Sequence, residues 1–457
     1  MSHRRSVMIL PMADDPQGAT PPDGAAGGPA SPAPAATGKR RKAWTPLRIL
    51  GLLVVLAVIG GIGFVVVKLV VDGRQTSDRQ AQLQPFYTPP DQLPSAPGSV
   101  IRTEGMDNVT LTNGSAQRIL YTSVNDAGEP IAVSGMVFTP NTPAADAPVV
   151  AWAHPTLGQA DQCAPSRSSE PLKDMTGWLD EMLGRGWVVT GTDYAGLGTP
   201  GPKSYLLGMQ SVRDIVNSVR AAKTVTAEAG VGTSADWVVW SHSQGGQAAL
   251  WTAAKGNEEA PELTLRAVAA AAPAAELAEI MTAQWNTEVA WVIGPEAAQS
   301  FTVAYPDLDV MGALSDVARD AMSDLESKCI LGQGLDAVAL TTLRQDFFTA
   351  DPIDDPAWSQ IVSEQTPPQP APGMPILLVQ GTADEVVLAP TNALLQNSWC
   401  AAGVNMSALW LGEVNHQKAA IIGGPSAVQW LAARFAGEPA VPNCSFPPPV
   451  QPATPVD

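Results

Sequence analysis

Short apolar segments alternate with helical segments from residue 147 onward, and this alternation constrains the fold more than any other feature of the chain. Residues 147–153 (APVVAWA) and 376–379 (ILLV) are apolar throughout, which is typical of strands that are buried on both faces. Residues 212–223, in contrast, place their apolar side chains at helical spacing. The pattern predicts an α/β fold with a mostly parallel central sheet covered by helices on both sides. The other predicted strands are residues 187–190, 236–240, 266–272 and 408–411, and a final helix is predicted at 426–436.

One long stretch interrupts the alternation. Residues 276–367 are mainly helical in pattern, and this stretch is too long for a single connection between two neighbouring strands. We therefore predict one domain over residues 100–437, with a helical cap inserted at about residues 276–367.

The N-terminal region has a different character. Residues 1–48 are rich in Ala, Pro and Gly and are predicted to be disordered and cytoplasmic. Residues 49–67 are 19 consecutive uncharged, mostly apolar positions, and a basic cluster precedes them at 39–42. This pattern predicts a single transmembrane helix over 49–71, with the body outside the cell membrane and a linker over 72–99. The alternative is a signal peptide that is cleaved, which would release the body as a secreted protein.

Charge and cysteine content narrow the class of protein further. The chain carries a net charge of −18, and an acidic body argues against nucleic acid as a partner. The four cysteines form no C-x-x-C pair, so that a zinc or redox motif is not expected. In an oxidising compartment an even number predicts two disulfides, and four cysteines allow three pairings. The proline-rich tail over 438–457 contains one of them, Cys444, and we expect this tail to be pinned to the body.

The segment SHSQG around Ser243 is the candidate nucleophile site. A serine nucleophile on a strand–turn–helix needs small residues two positions before and after it, because larger side chains would collide with the strand and the helix. Here those positions hold Ser241 and Gly245, between an apolar run and a helix-forming run. We predict that Ser243 is the nucleophile; the alternative is a polar turn without chemistry.

A serine hydroxyl needs a general base, which is most often histidine. The chain has four histidines, of which His3 is predicted to lie across the membrane and His242 is adjacent to the serine and points away from it. His154 precedes the nucleophile, whereas the order in α/β-hydrolases is Ser, then Asp or Glu, then His. Elimination and order both select His416.

The acid of a triad orients the histidine and stabilises its protonated form. Asp384 lies between Ser243 and His416, a few residues after the predicted strand at 376–379, and is our candidate. Glu385 is the competing choice. Asp351, Asp354 and Asp355 are less suitable because they fall in the predicted cap.

The negatively charged oxygen that forms during acyl transfer needs N–H donors, the oxyanion hole. We predict one donor to be the backbone N–H of Gln244, directly after the nucleophile. The second is expected from the loop after an earlier strand, where Thr156 offers its N–H and its hydroxyl.

Several motifs together resemble the secretory lipase family. They are AHPTLG with DQCAPS (residues 154–166), GTDYAGLG (191–198), SHSQGG (241–246), QGTADEVV (380–387) and the Asn-His pair at 415–416. They span about residues 100–445. The sequence departs from the family pattern at Ser241, where glycine is usual, and in its N-terminal apolar segment. The Ala-, Pro- and Gly-rich, Lys-poor composition is typical of a high-GC bacterium, and we expect an actinobacterial member.

The resemblance implies an α/β-hydrolase fold with a helical cap, and hydrolysis of carboxylic esters, including lipids, in lipid catabolism. It also implies the disulfides Cys163–Cys329 and Cys400–Cys444. No metal and no organic cofactor are expected, and the expected partners are a lipid or other ester substrate and the membrane. Two alternatives stay open: a serine peptidase of the same fold, and a non-catalytic surface protein on a hydrolase scaffold.

Overall fold

A computed structural model describes residues 74–370 and 372–456. The strands in these residues are β1 (Val100–Gly105), β2 (Gly114–Val124), β3 (Pro130–Pro140), β4 (Ala147–Ala153), β5 (Val188–Thr192), β6 (Thr233–His242), β7 (Thr264–Ala271), β8 (Ile376–Gly381) and β9 (Met406–Leu411). They form one sheet in the order β1-β2-β3-β5-β4-β6-β7-β8-β9. The pairs from β5 to β9 are parallel, and those that join β1, β2, β3 and β5 are antiparallel.

Helices connect most of the strands. Residues 74–87 are helical and are labelled α1. The others are α2 (Leu179–Gly184), α3 (Gly208–Glu228), α4 (Gln244–Glu259), α5 (Leu277–Gln284), α6 (Glu288–Ala304), α7 (Asp316–Glu326), α8 (Ile330–Thr342), α9 (Pro356–Gln365), α10 (Ala389–Ala401) and α11 (Ala419–Phe435). A mostly parallel sheet with helical connections confirms the predicted α/β class.

The six strands predicted from apolar runs correspond to β4 to β9. The antiparallel strands β1 to β3 were not predicted, because polar residues interrupt their apolar pattern. Arg118 and Thr122 of β2 are buried although they are polar, and Arg118 is paired with Glu104 of β1 at 2.9 Å. A search for continuous apolar runs does not detect such strands.

The sheet separates two apolar cores, as expected for a parallel sheet covered on both faces. On one side α3, α4 and α10 contribute side chains such as Ile215, Leu250 and Leu395. On the other side α2 and α11 contribute Leu183 and Leu431. This arrangement buries almost all of β4 and the carboxyl-terminal halves of β6 and β7, and fixes the positions at which they end.

Helices α5 to α9 lie between β7 and β8, within the stretch that was predicted to form a cap. They have an apolar core of their own, which includes Trp291, Phe301, Phe347 and Trp358. Because this core is separate from the two sheet cores, we refer to α5–α9 as the cap.

The first part of the predicted linker is helical. Residues 74–87 form α1, and Phe86 and Tyr87 at its end pack against Leu120 and Ala132 of the sheet. In the residues that the structure describes, no helix is long and apolar enough to span a membrane. The predicted transmembrane helix at 49–71 and the segment at 1–48 lie outside the described residues.

The C-terminal tail follows the open edge of β9. The side-chain amide of Asn443 accepts a hydrogen bond from the N–H of Ala408 at 2.7 Å and donates one to its carbonyl oxygen at 2.8 Å. The disulfide Cys400–Cys444 joins the tail to α10, and Cys163–Cys329 joins the loop after β4 to the start of α8. Both pairings are those that the family resemblance implies.

Candidate active site

Ser243 occupies a sharp turn between β6 and α4. The strand ends at His242 and the helix begins at Gln244, so that Ser243 alone makes the turn. Its backbone has φ 56° and ψ −118°, a sparsely populated conformation that costs on the order of 1–3 kcal/mol. Strain of this kind is kept where it exposes a functional side chain, as on the nucleophile turn of α/β-hydrolases.

The small residues on either side of Ser243 have separate steric reasons. A Cβ atom at position 245 would lie 2.0 Å from the carbonyl oxygen of Ala153, so that only glycine fits there. At position 241 a serine fits, because its hydroxyl turns into the sheet and donates to the carbonyl oxygen of Ala269 at 3.0 Å. The departure from the usual glycine at 241 is therefore accommodated without displacing β7.

His416 and Asp384 lie beside Ser243 at the carboxyl ends of the parallel strands. His416 follows β9, and its Nε2 is 2.8 Å from Ser243 Oγ. Its Nδ1 is 2.9 Å from Oδ2 of Asp384, which follows β8. Because a carboxylate only accepts hydrogen bonds, Nδ1 donates to Asp384, and Nε2 is left to accept from the serine hydroxyl. The three residues thus form one hydrogen-bonded series, and each is 6% exposed.

The loop that holds Asp384 is fixed by contacts that the sequence analysis missed. Oδ1 of Asp384 accepts from the backbone N–H groups of Val386 and Val387 at 3.0 and 2.9 Å. The amide of Gln380 donates to Oδ2 at 3.1 Å. From the cap, Gln284 donates to the carbonyl oxygens of residues 385 and 386. Gln380 could have been suspected from its place at the end of β8, but nothing in the sequence points to Gln284.

The competing acidic residues lie elsewhere. The side chain of Glu385 is exposed, and that of Asp384 is not. Asp351 accepts from the N–H of Ile353, and Asp355 accepts from two N–H groups at the start of α9. Asp354 ends the short helical turn between them.

The other described histidines take supporting positions. His242 donates from Nε2 to the carbonyl oxygen of His416 at 2.9 Å, so that it helps to hold that residue. Burial and the neighbouring His416 lower the pKa of His242 well below its usual value, which keeps it neutral. Both ring nitrogens of His154 face backbone carbonyl oxygens, those of Pro155 and Asp193. His3 lies outside the described residues.

The two predicted oxyanion donors flank the nucleophile turn. Gln244 is the first residue of α4, where backbone N–H groups have no acceptor within the helix. Thr156 lies three positions after the end of β4, in a loop whose backbone at His154 packs directly against Gly245. The hydroxyl of Thr156 is hydrogen-bonded to that of Tyr205 at 2.9 Å. The structure thus brings both predicted residues to the site, and their role as donors stays a prediction.

The loop that carries Thr156 is joined to the cap, and we call residues 156–159 the oxyanion loop. The N–H of Ile330 donates to the carbonyl oxygen of Leu157 at 2.9 Å, and Gly158 pairs with Cys329 as an isolated β-bridge. Gly158 has φ 101°, and a Cβ atom there would lie 2.4 Å from Cys329 Cα. With the Cys163–Cys329 disulfide, these contacts fix the start of α8 to the oxyanion loop.

A small cavity of about 30 Å³ lies between the oxyanion loop, α4 and α6. Its polar lining includes Gln244, Tyr205, Lys203 and Glu296, of which Glu296 is 3% exposed. Burial raises the pKa of Glu296 to about 8, although the nearby Gln333 amide and the charge of Lys203 act in the opposite direction. The carboxyl group is therefore largely protonated at neutral pH.

This raised pKa predicts a pH-dependent stability. A carboxyl whose pKa rises from 4.5 to about 8 on folding stabilises the fold fully below pH 4.5, and the contribution is lost as the pH rises through about 8. Glu296→Gln resembles the protonated form. We expect it to change the melting temperature little at pH 5 and to raise it by about 2–5 °C at pH 9.

The matched control for this measurement is Glu288→Gln, because Glu288 is exposed on the same helix. Its effect on the melting temperature is expected to be the same at pH 5 and pH 9. Other buried carboxyl groups titrate in both proteins and cancel in the comparison. Equal shifts for the two variants at both pH values would contradict the assignment of a buried, protonated Glu296.

Metal ligands form no comparable site. In the part of the chain that the structure describes, no group of three or more His, Cys, Asp or Glu side chains is arranged to hold a metal ion.

The sheet order, the sharp strand–turn–helix at Ser243 and the inserted cap define the fold as that of an α/β-hydrolase. Within this class the chain belongs to the secretory lipase family, whose sequence model matches residues 173–443. Membership of this family and the two disulfides indicate an extracellular, lipase-like hydrolase.

Two relatives illustrate the range of the family. Lipase 5 of Candida albicans is 26% identical over 389 residues, which cover 79% of this chain and 82% of the relative. A protein of Mycobacterium tuberculosis named probable inactive lipase MT1628 is 24% identical over 379 residues, which cover 78% of this chain and 82% of the relative. Since one relative is named as inactive, membership of the family does not by itself imply activity.

Solved structures share the fold. Candida antarctica lipase A in its closed state has a TM-score of 0.65 at 18% identity, with 81% of this chain and 91% of that chain covered. The rice cell wall degrading esterase LipA from Xanthomonas oryzae has a TM-score of 0.61 at 18% identity, with 75% and 98% covered. These similarities support an α/β-hydrolase fold.

Proposed function

We propose that this protein is a serine-dependent carboxylic ester hydrolase that acts on lipid esters. The observation that carries the proposal is the hydrogen-bonded series from Ser243 through His416 to Asp384, with distances of 2.8 and 2.9 Å. Histidine and carboxylate groups in such a series convert a weakly nucleophilic hydroxyl into an effective one.

The proposed reaction has two steps. In the first, Ser243 Oγ bonds to the ester carbonyl carbon while His416 Nε2 takes the hydroxyl proton, and the N–H groups of Gln244 and Thr156 stabilise the charged carbonyl oxygen. The carbon–oxygen ester bond then breaks, and His416 gives its proton to the leaving alcohol. In the second step water repeats the attack on the acyl-serine, and the acid is released with Ser243 restored.

Lipid esters are favoured as substrates by the family to which the chain belongs and by the names of its relatives. The site is covered in this structure, because Ser243 is 6% exposed and the adjacent cavity of about 30 Å³ has room for a water molecule but not for an acyl chain. A long acyl group therefore requires a large rearrangement of the cap, whereas a short acyl group requires a smaller rearrangement.

The reaction class is tested by comparing p-nitrophenyl esters of increasing acyl length with aminoacyl anilides. We expect turnover of the esters and little cleavage of the anilides, since the family to which the chain belongs is one of lipases. Faster cleavage of the anilides would favour a peptidase instead. No turnover of either substrate would favour a non-catalytic surface protein.

We further propose that residues 49–71 anchor the catalytic domain at the outer face of the cell membrane. Their uncharged, apolar sequence and the basic cluster at 39–42 support this location. The anchored chain would stay with the membranes during alkaline carbonate extraction. Release of the chain, or a mature N-terminus located after residue 71, would show that it is secreted.

A further inference from the structure

The outer face of α8 has the opposite polarity to an ordinary packed helix. Its fully buried side chains are the small Ala337 and the polar Gln333. Although Ile330 and Leu340 are half-buried, the other large apolar side chains of α8 point to solvent, as does that of the residue after the helix. They are Leu331, Leu335, Val338 and Leu343, with exposed fractions of 74, 67, 56 and 69%. We call these four residues the α8 stripe.

The stripe is a concentrated feature rather than a scatter of single residues. Nine large hydrophobic side chains are exposed in the described residues, and four of them lie within residues 331–343. Leu331, Leu335 and Val338 are separated by four and three positions, which places them on one side of the helix. A contiguous apolar surface of this kind on a cap marks an interaction site.

The start of α8 and helix α1, with which the described chain begins, both contact the loop that follows β4. Cys329, just before α8, is bonded to Cys163. A few residues further along that loop, Arg79 of α1 donates to the carbonyl oxygen of Ser168 at 3.1 Å. Gln80 donates to the neighbouring carbonyl oxygen of Arg167 at 3.2 Å. One short loop thus contacts both α1 and the start of α8.

The charges around the α8 stripe indicate that it binds an uncharged surface. Within α8 the one charged side chain is Asp336, which is paired with Lys328 at 2.5 Å. Between residues 316 and 346, acidic side chains outnumber basic ones. An anionic surface would be repelled, and attraction must come from the burial of apolar area.

We propose that the α8 stripe inserts into an uncharged lipid surface and holds the cap and the oxyanion loop against it. The proposal rests on the proposed function, since a lipid surface is where a lipid ester is met. It also agrees with the order of the chain, because the predicted anchor at 49–71 precedes α1 by only a few residues. The first turn of α8 is hydrogen-bonded to the oxyanion loop. Contact of α8 with the lipid would therefore place this loop next to the substrate.

Binding of the α8 stripe to a lipid surface is tested in the absence of ester turnover, with the full-length Ser243→Ala variant. Amide hydrogen exchange is followed with and without an excess of phosphatidylcholine vesicles. We expect exchange in residues 331–343 to slow by at least tenfold with these vesicles, and by less with vesicles of phosphatidylglycerol. This arm does not depend on turnover, so that its result stands even if the proposed function fails.

The consequence for turnover is tested with Leu331→Ser, Leu335→Ser and Val338→Ser combined in the full chain. We expect hydrolysis of a soluble short-chain ester to be unchanged and hydrolysis of a lipid ester in phosphatidylcholine vesicles to fall at least tenfold. Returning one fully buried leucine side chain to water would weaken binding to the vesicle by about tenfold or more. The matched control combines Ile422→Ser, Val441→Ser and Phe446→Ser, which remove exposed apolar side chains elsewhere. Retained turnover of the soluble ester establishes that the triple variant is folded. If the triple variant does not fold, Leu335→Ser alone is measured in its place.

Three outcomes would overturn the proposal. Exchange in residues 331–343 that ignores vesicles but slows with protein concentration would identify a second copy of the chain as the partner. Slow exchange without vesicles or added protein would mean that another part of the chain covers the stripe. An equal loss of vesicle-bound turnover in the control variant would show that the effect is not specific to α8.

Discussion

Replacing Ser243 by alanine is expected to lower kcat for ester hydrolysis by about 10⁴- to 10⁶-fold. The variant loses the atom that forms the acyl bond, whereas His416 and Asp384 keep their own hydrogen bond at 2.9 Å. The remaining rate would come from the oxyanion donors and from substrate binding alone. The measurement is turnover of a p-nitrophenyl ester together with labelling by a fluorophosphonate probe.

The matched control is Ser241→Ala, two positions earlier on the same strand. Ser241 is buried and donates to the carbonyl oxygen of Ala269, away from the substrate side. We expect this variant to keep activity within a few-fold and to be labelled fully. Labelling of Ser243→Ala at the level of the unchanged protein would exclude Ser243 as the nucleophile.

The second large effect is expected from Asp384→Asn, which should lower kcat about 10³- to 10⁴-fold. The Asn oxygen can still accept from the N–H groups of Val386 and Val387, which turns its NH₂ group toward His416 Nδ1. That nitrogen would then have to accept rather than donate. The imidazole proton moves to Nε2, where it blocks acceptance of the proton from Ser243.

Glu385→Gln is the control that separates the two candidate acids. The side chain of Glu385 is exposed, and the contact of this residue with Gln284 uses its backbone carbonyl. We expect near-normal kcat for this variant. If it loses as much activity as Asp384→Asn while both proteins melt near the temperature of the unchanged chain, the assignment of Asp384 is wrong.

The sequence predicts the parallel half of the sheet well because those strands are buried on both faces. Continuous runs such as APVVAWA carry that information locally. The antiparallel strands are different, since a buried Arg118 in β2 is compensated by Glu104 on another strand. Only the assembled sheet shows such a pairing.

The same distinction applies to the site. Ser243, Asp384 and His416 could be selected from motif order and from the scarcity of histidine, and the structure brings them together. The residues that hold them, such as Gln284 and His242, act through contacts between distant segments and leave no periodic pattern. In α8 the sequence predicts a helix but not that Leu331 and Leu335 face outward.

The tail beside β9 has a consequence for the behaviour of the protein in solution. β9 is an edge strand, and the free N–H and C=O groups of such a strand can recruit another extended chain. Asn443 occupies both groups of Ala408, and the neighbouring Cys444 holds it in place through Cys400. The tail thus covers part of a sheet edge that could otherwise pair with an extended segment of a second chain.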